Sequence, residues 1–290
     1  MRSLLTVGCL IALSGCAIIV TGSDDVQVKS VFSTNAVVGD GRLAHDVRAV
    51  GRVSATNVSS ISVSGSLEVN VRVGPAASLE VEADSNLLPM IRTEVSGGVL
   101  RMWVEGSVRS ANSLRVNYTT PSLLEASASG SGRLTISELN GAPLIFTKSG
   151  SGAANLSGRV GRLDVRHSGS GAINAGALRT QEANLALSGS GRMSLGPVEG
   201  SALTASLYGS GSLQASGKVA SLNARVHGSG GADLTALVSE QADLATQGSG
   251  DITAYVARAL VAQSTGSGRI TVYGNPAQRN VSGKHVLVLN

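Results

Sequence analysis

Eight serines stand in the same tripeptide, Gly-Ser-Gly: Ser131, Ser151, Ser170, Ser190, Ser210, Ser229, Ser249 and Ser267. A recurring hydroxyl suggests nucleophilic chemistry, which needs a base held beside the serine. No base recurs at a fixed offset from these serines. Their expected role is therefore structural, as hydroxyls bonding to neighbouring backbone at a tight corner. His167 precedes its motif by two residues and His227 by one, which predicts opposite faces and argues against a shared metal. His45 and His285 lie far from both. The nearest thing to a paired-carboxylate site is Asp233 with Asp251, from neighbouring repeats; glycoside hydrolysis would need such a pair. Two solvated surface acids are the plainer reading. Gly248-Ser249-Gly250-Asp251 has the look of a calcium-binding glycine-aspartate repeat, but those repeats place Asp at a nine-residue period, whereas Asp follows Gly-Ser-Gly directly once here. Tyr255 and Tyr273 each stand seven residues after the first Gly of a motif. They are expected on the outer face at about 5 Å, stacked, either stabilising the ladder or offering a platform to a sugar ring. The residue types thus predict no catalytic, metal-binding or cofactor-binding set.

The elements that must position these residues follow from the spacing. The first glycines fall at 130, 150, 169, 189, 209, 228, 248 and 266, a period of 18 to 20. Four and six residues after each, and four and six before, all 32 positions are apolar, in a chain that is 42% hydrophobic. Leu134 and Ile136, or Leu144 and Phe146, are examples. The residues between them are mostly polar, among them Thr135, Asn155, Asn174, Ser194, Asp164 and Asp243. Alternation at period 2 predicts strands with one buried face, two short strands per repeat joined through Gly-Ser-Gly. A strand pair of this size cannot bury its apolar face alone, so repeats must stack. The predicted fold is an all-β solenoid of about eight coils over residues 123–290, roughly 40 Å long at the strand spacing. Glycine at both ends of each corner suits backbone with positive φ.

The start of the chain reads differently. Residues 1–15 carry Arg2, an apolar run from Leu4 to Leu13, and the small residues Ser14 and Gly15 before Cys16. The run is too short to span a bilayer and has the layout of an export leader. Leu13-Ser14-Gly15-Cys16 resembles a bacterial lipobox, which implies lipid attachment at Cys16, a membrane held through that lipid and, with Ala17 next, an outer-membrane lipoprotein. Residues 16–49 have no sustained period and are read as lipidated Cys and tether. Cys9 lies in the leader, so no intrachain disulfide is expected in the mature chain. Net charge is +4 with 2% aromatics and no basic run, which speaks against nucleic acid as a partner. Envelope glycan or protein remains, and nothing in the composition fixes an oligomeric state.

Residues 50–122 form a second strand-rich region, expected to pack on the first coil and hide its open edge. Pro89 limits the one helix-like stretch to a short turn, and Gly97-Gly98 reads as a hairpin connection. Ile61 to Gly65, Leu79 to Leu88, Leu114 to Tyr118 through Pro121-Ser122-Leu123, and coils such as Gly171-Ala172-Ile173-Asn174 together resemble the bacterial family called putative autotransporter adhesin, head GIN domain. The resemblance runs from about Val50 to the end of the chain. It implies a right-handed β-helix-like fold and export to the envelope, and it supplies no catalytic residue. A non-catalytic envelope surface, structural or interacting, is the expected function; a carbohydrate-active enzyme on envelope polysaccharide is the alternative.

Overall fold

The computed structural model describes residues 36–48 and 58–289. The leader, Cys16 and most of the expected tether lie outside them. The fold is an all-β solenoid of stacked coils. Six strands, Ala153–Gly169, Ala172–Gly189, Arg192–Gly209, Ser212–Gly228, Gly231–Gly248 and Asp251–Gly266, each run almost the whole way between two Gly-Ser-Gly corners. Each pairs in parallel with the next, and the corners coincide: Gly169 opposes Gly189, Gly189 opposes Gly209, and so on to Gly266. The two short strands expected per coil are thus one strand, bent at mid-coil where the register shifts, for example between Asn155 and Ser157 or Leu195 and Pro197. A bulge disturbs the ladder for a residue or two and bends the strand without ending it.

The inside is where the alternation places it. Of the 32 repeated apolar positions, 31 are buried. The exception is Leu124, 43% exposed, and the adjacent Leu123 fills the interior as the chain enters the first coil. Two further inward rows complete the core. One lies at the mid-coil bend and contains Leu139, Val160, Leu178, Val198, Val219, Leu237 and Val256. The other lies two residues before each first glycine and contains Leu187, Leu207 and Val226, with Lys148, His167, Thr246 and Ser264.

The corner glycines have two different reasons. The first glycine of all eight motifs has φ between 92° and 119°, the left-handed region. The third does not. It is required because a Cβ there would overlap the carbonyl oxygen of the equivalent glycine one coil back, as Gly152 would with Gly132 and Gly171 with Gly152. Stacking at strand spacing leaves no room for a side chain pointing along the rod.

At the N-terminal end, Ser60–Gly65 and Glu68–Val73 make an early coil that pairs in parallel with Glu125–Gly130 and Arg133–Gly141. On its other side lie Val99–Val104 and Arg115–Thr120, also parallel. The region packs on the first Gly-Ser-Gly coil as expected. Antiparallel strands Ser78–Asp84, Ile91–Ser96 and Leu43–Arg48 finish this end. Gly97 and Gly98, with φ of 58° and 78°, turn a hairpin, and Leu88–Met90 is a single 3-10 turn. The tether expected over 16–49 must be corrected within the described part. Leu43–Arg48 is a strand, and Arg48 donates to the carbonyls of Ile91 and Leu88. His45 sits on that strand, 3.4 Å from Glu80. Six residues of alternating exposure were too short to stand out from a polar segment.

Candidate interaction surface

Parallel stacking turns each outward sequence position into a column along the rod. The middle serines form one such column, and all eight are exposed. The ladder at this corner is made by their backbone N–H groups: Ser131 donates to the carbonyl of Gly65, Ser151 to Gly130, Ser210 to Gly189 and Ser267 to Gly248, at 2.9–3.1 Å. The hydroxyls expected to make those bonds face solvent instead, because the main chain has already satisfied the carbonyls.

Tyr255 and Tyr273 are rung partners in consecutive coils, 39% and 41% exposed. The outward placement agrees with the sequence. Among the described residues, however, the stacked aromatic pair is Tyr208 with His227, ring centroids 5.0 Å apart and 4° from parallel. The Tyr255 ring lies against Gly274, the residue after Tyr273, which has no side chain to hold it off. Tyr208 was missed by sequence reasoning. It stands one residue before a first glycine, as His227 does in the next coil, so the shared offset was available. His227 also bonds Gln247 at 3.0 Å.

His167 and His227 do face opposite ways. His167 is buried, with Nδ1 3.3 Å from the Lys148 carbonyl and Nε2 2.8 Å from that of Gly171. Lys148, its rung neighbour, is 2% exposed, and its Nζ has no hydrogen-bond partner among the described residues. Burial lowers the pKa of this amine from its ordinary value.

The outward acids are engaged locally. Asp233 accepts from the Thr235 amide and hydroxyl, and Asp251 accepts from the Arg269 amide at 2.8 Å. Asp164 pairs with Arg162 and Asp243 with Arg225. Asp233 opposes Thr253 and Asp251 opposes Gly231, so the two carboxylates are diagonal neighbours in adjacent coils, on the same face. Shallow grooves run along the bends. One of about 350 Å³ is lined by Asp243, Val261 and Arg279; two others share Glu199 at the mid-coil bend.

Residues 57–206 and 180–276 match the family described as putative auto-transporter adhesin, head GIN domain, and the chain belongs to it. Three solved structures share the fold. A putative adhesin from Parabacteroides merdae ATCC 43184 is 20% identical with a TM-score of 0.67, covering 88% of this chain and 99% of its own. A putative lipid binding protein from Parabacteroides distasonis ATCC 8503 is 22% identical with a TM-score of 0.63, covering 88% and 100%. A putative adhesin from the same organism is 23% identical with a TM-score of 0.62, covering 87% and 99%. No curated protein matches the chain.

Proposed function

We propose that the chain is a non-catalytic cell-envelope protein whose solenoid serves as an interaction surface. The observation that carries this reading is the division of each coil. The apolar rows close on one another, and the outer columns carry mainly polar and charged side chains, with exposed aromatics at Tyr208, Tyr255 and Tyr273. Such a rod presents fixed side chains at the strand spacing of about 4.8 Å. Sugar rings bind aromatic faces in this way. Membership in a family described as adhesin heads supports an envelope address and a binding role.

The anchor proposed is lipid on Cys16, placing the protein on the outer membrane. No helix among the described residues is long and apolar enough to cross a membrane. Replacing Tyr255 and Tyr273 together with Ala tests the surface. Retention of the full chain on an immobilised envelope glycan is expected to fall at least tenfold at unchanged thermal midpoint. Undiminished retention would remove these tyrosines from the binding face.

A further inference from the structure

Several charges on the solenoid sit with opposite signs in contact. Arg162 lies beside Asp164 and Glu182, Arg225 beside Asp243, and Arg72 beside Glu138. At the mid-coil bend, Glu199 opposes Lys218, and Glu240 lies 3.9 Å from both Lys218 and Arg258. One rung breaks the pattern. Arg159 opposes Arg179 directly in adjacent coils, with both side chains exposed. Like charges directly opposite on neighbouring strands destabilise a sheet. The inward residue of the same bend, Val160, is fully buried beside the pair. Local conflicts of this kind concentrate where function demands them.

The two arginines stand in a groove of about 410 Å³, together with Gln181 and the small residues Gly141 and Gly161. It continues along the rod into a second groove of about 520 Å³ through Glu199, lined by Gly200, Lys218 and Ala220. The trough thus follows successive coils at one bend, with small residues at several of them. It suits a linear polymer of flat units better than a globular partner. Two planar guanidiniums on one rung match a single carboxylate, which each can engage through paired N–H donors. The Gln181 amide offers hydrogen bonds to neutral groups. Glu199, an acid at the end shared by the two grooves, bounds the subsite on that side.

We infer that Arg159, Arg179 and Gln181 form a subsite for the carboxylate of a uronate-type sugar in a linear acidic polysaccharide. The inference rests on the reading of the rod as an interaction surface; Tyr255 stands four coils along the rod from Arg179, in the column that contains Glu199 and Lys218. It is tested with the full chain in mild detergent against polygalacturonate, neutral dextran, inorganic phosphate and phosphatidylglycerol vesicles. Wild type is expected to bind polygalacturonate, more weakly in high salt. The variant carrying Arg159→Gln and Arg179→Gln is expected to lose at least tenfold in affinity, with a thermal midpoint unchanged or raised. The charge-matched control carrying Arg166→Gln and Arg192→Gln, exposed arginines outside both grooves, is expected to bind it within twofold of wild type. Equal polygalacturonate binding by the arginine variant overturns the subsite and leaves the surface reading standing. So does arginine-dependent binding to vesicles or phosphate without binding to the polyuronate. Failure of wild type to bind either glycan counts against both.

Discussion

Lys148 is the residue most at odds with its surroundings. Its amine ends in the core without a partner among the described residues, and an unmet buried polar group costs about 1–3 kcal/mol. Lys148→Met should therefore raise the thermal midpoint. The pH dependence has a definite sign. The unfolded chain keeps the ordinary pKa of 10.5, and burial lowers the folded value. Between the two, the unfolded state binds more protons, so this group makes the fold more stable as pH rises through that window. Thermal midpoints measured from neutral to alkaline pH should show that slope in wild type and lose it in Lys148→Met. A Met variant that is less stable than wild type at neutral pH would mean that the amine is satisfied. Glycines make the complementary case. Gly171→Ala places a methyl against the Gly152 carbonyl and the Lys148 amine, and overpacking against backbone costs at least about 1–3 kcal/mol. Gly176, exposed and met by the Asn174 side chain alone, should accept Ala with little change. Equal stability of the two Ala variants by denaturant melting would contradict the close stacking.

At the scale of the coil, the alternation is testable with four substitutions. Ile173 and Leu195 are buried, whereas Asn174 is exposed and Ser194 half-buried, the two joined by a hydrogen bond of 3.1 Å. Asp at Ile173 or Leu195 buries a charge without a partner and should cost more than about 4 kcal/mol. Asn174→Asp keeps the oxygen that accepts from Gly176 and Ser194, and Ser194→Asp meets solvent; both should shift the midpoint by little. Comparable losses in all four would show that the parity is wrong. This parity was legible because four rows hold a fixed offset from the corner glycine. The mid-coil row was not. Val160 lies ten residues after its first glycine, Leu178 nine and Val256 eight, because coil length varies between 18 and 20 and the bulge absorbs the difference. The row before the corner hid for another reason. Its parity is right, but Lys148, His167, Thr246 and Ser264 are not residues that announce a core.

Across the whole molecule, each coil is held mainly by its two neighbours. The end built from Ser60–Gly65 to Arg115–Thr120 could not be traced in sequence order. Val99–Val104 and Arg115–Thr120 come later in the chain yet lie on the far side of Ser60–Gly65 and Glu68–Val73 from the Gly-Ser-Gly coils. Alternation predicts strands but does not say which strands pair when a chain doubles back. The outward residues are legible by parity alone, and Tyr208 shows the limit: a single aromatic at a column position draws no attention until the next coil is laid beside it. Membrane attachment belongs to this scale too. Cys16→Ser removes the thiol that a diacylglyceryl thioether requires, so the proposed anchor predicts loss of membrane retention after a high-salt wash. Equal retention of the Ser variant would rule the lipid out.

The proposed function requires that the rod hold a ligand on its outer columns without altering it. The direct measurement is to incubate the purified full chain with envelope polysaccharide, recover both, and assay the polysaccharide for new reducing ends and unsaturated sugars. The expected result is glycan bound and returned unchanged, with retention lowered in the variant carrying Tyr255→Ala and Tyr273→Ala. Release of new ends, abolished by Asp233→Asn or Asp251→Asn, would contradict it and make the diagonal carboxylates of adjacent coils a catalytic pair.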